Sequence, residues 1–247
     1  MRRRGRPPGW SALGWPLGGM ALALALSDLI GRQLGLGALG GGPEDAPGTP
    51  RLALTFDDGP SPGTRELLGL LARRRARATF FLTGERAQRD PGALEAMRAA
   101  GHQLESHGLS HRHALTLTPW GEARELGWHP EPQREGRLYR PPYGGHSPFT
   151  RLLARRAGVS VSLWSLESRD WWERGGTWLA GELLARLRPG AVVLLHDGPP
   201  RTLELLAALL PELERRGWQA VTLAELGQRP IGWRAGWRRL LEMWGRG

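Results

Sequence analysis

Between residues 51 and 227, short apolar runs of strand length alternate with longer amphipathic stretches, and that alternation leaves few folds open. The apolar runs lie at 52–56, 79–83, 103–106, 160–165, 191–196 and 220–223, and the amphipathic stretches at 64–75, 91–100 and 201–216. Strand then helix, repeated, predicts an α/β fold with a mostly parallel sheet or barrel, because parallel neighbours need a crossover of helix length. In such folds the chemistry collects where strands run out into loops at their carboxyl ends.

Composition narrows the function. Cysteine is absent, which excludes a disulfide framework, a thiolate metal site and a cysteine nucleophile. The formal net charge is +10, carried by Arg alone in a chain without Lys or Asn, so part of the basic excess reflects a GC-rich coding bias. The Arg residues are spread over amphipathic segments such as 67–77 instead of forming a stripe along one groove, which argues against a nucleic-acid partner.

The ends read differently from the middle. Arg2, Arg3, Arg4 and Arg6 precede an uncharged, mostly apolar run at 10–26, an export pattern. Residues 1–34 are expected to be a membrane anchor or a signal peptide, with the Arg cluster on the cytoplasmic side and the remainder exported to the cell envelope. Residues 35–50, rich in Gly and Pro and without periodicity, read as a flexible linker. In residues 228–247, Trp233, Trp237, Leu240, Leu241 and Trp244 share one arc of a helix from which Arg234, Arg238 and Arg239 are excluded. That pattern fits either an interfacial membrane helix or a helix docked on the domain.

Five clusters carry candidate chemistry. Asp57 and Asp58 follow the first strand and precede Gly59-Pro60, where broken strand alternation can turn both carboxylates to one cavity. His107 and His111, four apart, meet on one face if the segment makes a helical turn, and with Asp58 they make a His-His-carboxylate set with open positions, as a catalytic metal site requires. His102 and His113 are read as structural. Arg140, ahead of Pro141-Pro142-Tyr143-Gly144, can hold a carboxylate while the stiffened turn presents an amide to an oxyanion. Residues 163–172 run from a strand into acids and Trp171-Trp172, side chains suited to sugar rings or to the core. His196 ends the apolar strand at 191–195, well placed as a general acid. Each cluster alone also has a plain structural reading as a loop, a solvated surface or core packing.

Taken together and in order, the five clusters resemble the polysaccharide deacetylases of carbohydrate esterase family 4, the NodB-homology domain, over about residues 51–227. The resemblance implies a distorted (β/α) barrel of about seven parallel strands and hydrolysis of N-acetyl groups on an amino-sugar polysaccharide. It implies Asp57 as base, Asp58, His107 and His111 as ligands of one divalent ion (Zn first, with Co, Ni and Mn as alternatives), and Arg140 as the residue that positions the base. It further implies the Tyr143 N–H as oxyanion donor, His196 as acid, Leu194 and Trp171 as walls of the acetyl pocket, and Glu167 as a supporting carboxylate where the family has Asp. Gly108 departs from the family's Ser or Thr, which removes a loop hydrogen bond. The stretch from His111 to Arg140 is short, and Pro119, Pro130 and Pro132 limit any helix in it. The expected partners are an N-acetylated glycan and, through the chain ends, a membrane. A deacylase of another small amide or ester, and a catalytically silent glycan-binding protein, are the competing readings.

Overall fold

The computed structural model describes residues 19, 22–23, 25–44 and 48–244. Most of the apolar run at 10–26 lies outside the described residues, whereas residues 25–33, expected to belong to the anchor or signal peptide, form a helix that docks on the barrel through Gly31 beside His146, with Leu34 buried after it. Among the described residues no helix is long and apolar enough to cross a membrane.

In chain order the domain runs β1 (Arg51–Gly59), α1 (Thr64–Arg73), β2 (Ala78–Leu82), α2 (Gly84–Arg89), α3 (Pro91–Ala99), β3 (Gln103–Ser106), α4 (Pro119–Gly127) and β4 (Arg137–Tyr139). It continues with α5 (Pro148–Arg156), β5 (Val159–Val161), β6 (Leu166–Glu167), α6 (Gly176–Arg186), β7 (Val192–His196), α7 (Pro200–Arg215), β8 (Gln219–Ala220), α8 (Leu223–Leu226) and α9 (Trp233–Trp244). Every strand pair is parallel, in the order β5-β4-β3-β2-β1-β7-β6, with β8 beside the start of β1. This is the curled α/β half-barrel that the alternation of strand and helix predicts.

Strand periodicity divides the core in two. On β1, Leu52, Leu54 and Phe56 face outward and pack with Leu67, Leu71, Leu205 and Leu209 of α1 and α7. Ala53 faces inward with Phe81, Val192, Leu194 and Leu163. Thr55 and Asp57 follow Ala53 on the inner face, so a carboxylate arrives at the carboxyl end of the central strand by alternation alone.

The sequence reading of residues 35–50 as a flexible linker does not hold for its first half. The sheet is open between β5 and β6, and residues 37–42 fill that seam. Leu39 N–H donates to the Val161 carbonyl and the Leu163 N–H to the Leu39 carbonyl, both at 2.8 Å, while Gly42 N–H donates to the Gly190 carbonyl at 2.7 Å. The glycines serve close approach, not mobility: a Cβ on Gly40 would lie 2.4 Å from Ile231 Cγ1, and one on Gly42 would lie 2.7 Å from Leu226 Cγ.

Helix α9 is docked on the same seam, but with its polarity reversed relative to a soluble amphipathic helix. Gly236 and Arg239 face the protein, whereas Trp233, Trp237 and Leu241 are 65%, 54% and 67% exposed. The Trp244 side chain lies outside the described residues. Arg239 is buried, donates to the carbonyls of Trp164 and Arg32, and lies 4.3 Å over the Trp164 ring.

Candidate active site

The strand ends bring Asp57 and His196 side by side, in register on β1 and β7. Asp57 is buried, and its Oδ1 accepts from Arg140 Nη1 at 2.7 Å. Arg140 has no exposed surface. The same Nη1 donates to Thr55 Oγ1 at 2.8 Å, the carbonyls of Ser162 and Leu163 accept from the guanidinium at 3.4 and 3.3 Å, and Phe81 stacks on it at 3.9 Å. A guanidinium held on so many sides fixes the carboxylate it faces. Burial draws the Arg140 pKa down against the opposing pull of Asp57.

The expected break in strand alternation is present. The β1–β2 register shifts between Phe56 and Gly59, and Asp58 takes a positive φ of 70°, so its carboxylate turns to the cavity Asp57 faces. Asp58 Oδ1 lies 2.9 Å from His111 Nε2 and 3.4 Å from His107 Nε2. Burial works against its charge, yet the two imidazoles hold the carboxyl well below the usual carboxylate range.

His107 and His111 do come together, with ring centroids 5.1 Å apart, but not across a helical turn. The segment is a loop with positive φ at Gly108 (85°) and His111 (56°). A carboxylate that sequence reasoning missed holds it. Glu125 of α4 accepts from the amides of Leu109 and Ser110 at 2.6 and 2.9 Å and from the Ser110 hydroxyl. The departure at Gly108 thereby has a physical reason, since a Cβ there would lie 2.8 Å from Glu125 Oε2. The prolines do not prevent this helix: Pro119 sits in its first turn behind the Thr118 cap, where no N–H is needed.

The cluster fits a divalent cation. His107 Nδ1 donates to the Arg140 carbonyl at 2.8 Å, which leaves the Nε2 lone pair facing the cluster. One ligand atom each from Asp58, His107 and His111 lie within 4.8 Å of one another. Among the described residues buried Asp58 Oδ1 has no hydrogen-bond partner: its neighbour nitrogens do not approach it in hydrogen-bonding geometry, the state of an oxygen shaped for a cation.

His196 is held by Asp170; Glu167, which the resemblance implies as a supporting carboxylate, makes no hydrogen bond to His196. Fully buried Asp170 accepts from His196 Nδ1 and from its backbone N–H, each at 2.7 Å, and from the Thr202 hydroxyl at 2.7 Å. The turn at Arg169, φ 58°, folds Asp170 back against the end of β7. Glu167 instead lines a small cleft with Trp164, Arg186, Arg239 and Glu242. Burial disfavours the His196 cation, but the Asp170 hydrogen bond and the charges of Asp170, Asp57 and Asp58 outweigh it and raise the pKa to about 9. Only the fold pairs Asp170 with His196; the weak local signal is an acid three positions beyond the strand end.

Tyr143 sits in the turn Pro142–Gly144 with φ 60°, and its N–H makes no hydrogen bond among the described residues. Its exposed ring lies 4.9 Å from that of His111 and stacks on His113 at 5.8 Å, so His113, expected to be structural, borders the site. His102 is structural, as expected: its Nδ1 accepts from the Ala78 N–H. Leu194 is buried on the inner face two residues before His196, and Trp171, 56% exposed, follows Asp170 at the rim. An acid and a base side by side at adjoining strand ends, next to a three-ligand cation cluster and with a free amide nearby, is an arrangement able to hydrolyse an amide or an ester.

Comparison with known proteins agrees with this geometry. The family profile described as polysaccharide deacetylase matches residues 44–162. A chitooligosaccharide deacetylase of Bradyrhizobium sp. (strain ANU 289) is 33% identical over 207 residues, covering 74% of this chain and 93% of the relative. A peptidoglycan-N-acetylglucosamine deacetylase of Bacillus cereus is 34% identical over 189 residues, covering 71% of this chain and 87% of the relative. Among solved structures, the family 4 carbohydrate esterase from Streptomyces lividans in complex with acetate superposes with a TM-score of 0.65 at 28% identity, covering 74% of this chain and 97% of its own.

Proposed function

This chain belongs to the polysaccharide deacetylase family, and on that premise we propose that it hydrolyses N-acetyl groups of an amino-sugar glycan of the cell envelope, peptidoglycan or a chitin-like oligomer, releasing acetate. The observation that carries the proposal is the convergence of the buried Asp57–Arg140 pair, the Asp58–His107–His111 cluster and the Asp170–His196 pair at the carboxyl ends of the strands, where His107 Nε2 lies 3.8 Å from Asp57 and 3.4 Å from Asp58.

Asp58, His107 and His111 hold one divalent ion, Zn first among Zn, Co, Ni and Mn, which all accept two imidazoles and a carboxylate. When bound, such an ion supplies Lewis acidity toward the acetamide carbonyl and lowers the pKa of water in the site. Asp57 accepts the proton of the attacking water. Its Oδ1 is tied to Arg140, so Oδ2, 3.8 Å from His107 Nε2, is the oxygen that faces the cluster. The Tyr143 N–H donates to the oxyanion, a contribution of about 2.7–4 kcal/mol for a single such donor. With Nδ1 tied to Asp170, His196 carries its transferable proton on Nε2 and delivers it to the departing amine. Leu194 and Trp171 border the acetyl methyl. We further propose that the protein is exported and held at the membrane through the segment that begins with the Arg cluster at residues 2–6.

The test is acetate release from N-acetylglucosamine oligomers and from purified peptidoglycan, beside an aryl acetate. Release from the glycans supports the proposal; release from the aryl ester alone points to a deacylase of another carrier. A protein that binds glycan and releases nothing is the silent module.

A further inference from the structure

Two helices on the seam of the barrel turn apolar stripes away from the protein. Leu22, Leu26 and Ile30 recur at a spacing of four and are 61%, 45% and 45% exposed. Trp233, Trp237 and Leu241 do the same on α9. The helices adjoin: Arg239 Nε donates to the Arg32 carbonyl at 3.3 Å, and a Cβ on Gly236 would lie 2.8 Å from the Leu34 carbonyl oxygen. Both are fixed to the barrel, the first by Gly31 against His146 and the second by buried Arg239. Neither stripe therefore turns inward without dismantling those contacts.

We propose that these paired stripes form one interfacial face that lies on an anionic lipid bilayer. Three observations select this occupant. Trp and Leu flanked by Arg234 are the side chains that sit at a headgroup boundary, with rings at the interface and the guanidinium on the phosphates, while Arg238 pairs with Glu44 at 2.6 Å. Among the described residues the acids on and against the two helices are paired, Asp28 with Arg32 at 2.6 Å, Glu242 with Arg186 at 2.9 Å and Glu44 with Arg238 at 2.6 Å, so none of these three carboxylates meets the headgroups unpaired. The chain that leads into the first stripe is the uncharged run at 10–26 behind four arginines, which brings membrane-seeking sequence to this edge of the barrel. The proposal rests on the membrane placement given above, not on the deacetylase chemistry. It adds that the barrel is laid against the bilayer on a defined side instead of swinging from one tether.

The chain has no cysteine, so a single engineered one carries a unique label. The full chain is labelled with a polarity-sensitive fluorophore at Leu241→Cys, at Ile30→Cys or, as a control, at Glu95→Cys on α3. It is then floated with phosphatidylglycerol/phosphatidylcholine vesicles containing a nitroxide-bearing lipid. Labels at 241 and 30 are expected to shift to the blue and be quenched, the label at 95 to do neither. The triple variant W233S/W237S/L241S is expected to partition about tenfold more weakly while keeping its glycan-deacetylating rate, since its side chains stand outside the fold. Flotation with unquenched labels at 241 and 30 would overturn the proposal while leaving the membrane placement intact; failure to float would overturn both. A blue shift that grows with protein concentration without vesicles, or that appears on peptidoglycan alone, would assign the face to a second copy or to the glycan and overturn the bilayer.

Discussion

Asp170→Asn removes one charge from beneath His196 and replaces two acceptors by one acceptor and one donor. Three donors meet the wild-type carboxylate: the His196 ring, its backbone N–H and the Thr202 hydroxyl, all at 2.7 Å. The amide cannot accept all three, so the ring loses its Nδ1–H acceptor and with it the tautomer that keeps a proton on Nε2. The pKa of about 9 rests chiefly on Asp170, with the charges of Asp57 and Asp58 contributing less. Without Asp170, burial is opposed only by the weaker pull of Asp57 and Asp58, and the imidazole pKa falls toward its ordinary 6.5. At pH 7.5 the protonated fraction then falls from nearly all toward about one-tenth, a loss approaching about tenfold in kcat before any misorientation is counted. Because the folded pKa is raised, the acid form is present at low pH and lost as pH rises. The variant should thus approach wild type near pH 6, and its alkaline limb should move down by about two pH units. Initial rates of acetate release from an N-acetylglucosamine oligomer between pH 6 and 10 measure this. Glu167→Gln, which touches no part of the His196 pair, leaves the limb where it is. An Asp170→Asn profile parallel to wild type, or a Glu167→Gln profile displaced in its place, would refute the assignment.

Arg140→Met strands the buried Asp57 carboxylate, and a loss of about 3–5 kcal/mol is expected, read as a Tm lower by on the order of 10 °C. Glu125→Gln loosens the loop that carries His111; metal affinity should fall about 10- to 100-fold in a competition titration, with Tm changed far less. Gly40→Val forces a methyl-bearing carbon into Ile231 and should cost about 1–3 kcal/mol in urea unfolding, whereas a free linker at residues 37–42 would show no change.

The parts of the site that were legible in the sequence are those whose residue type and position at a strand end speak together. Asp57 and His196 need only strand alternation to reach the site, while Asp58 before Gly-Pro and the paired histidines after β3 are marked by residue type beside a strand end and reach it through positive φ. Arg140 was legible as a carboxylate partner because its turn follows a strand, although its burial among Thr55, Phe81 and Ser162 belongs to the barrel. Asp170 and Glu125 were not legible as supports. Each acts across the fold, on a partner 26 or 15–16 residues away, from a turn or helix that carries no local mark of its role. Spacing misled at His107 and His111, where positive φ in a loop, not a helical turn, makes the meeting. Glycine composition misled at residues 37–42 because close packing and flexibility select the same residue, and only the contact with Ile231 and Leu226 separates them. The arc of Trp on α9 was legible as a helix face, but which face meets the barrel depends on Arg239 finding carbonyls and the Trp164 ring.

The most direct measurement is acetate released from N-acetylglucosamine oligomers by three samples: the protein as purified, the protein after chelation, and the chelated protein with Zn restored. Asp57→Asn is carried beside them with its metal content determined. Release that chelation abolishes and Zn restores, with Asp57→Asn holding one equivalent of metal yet slower by about 10²- to 10⁴-fold, is the expected result. Release that survives complete metal removal, or an Asp57→Asn variant as fast as wild type, would contradict the assignment of this cavity as a metal-dependent deacetylase site.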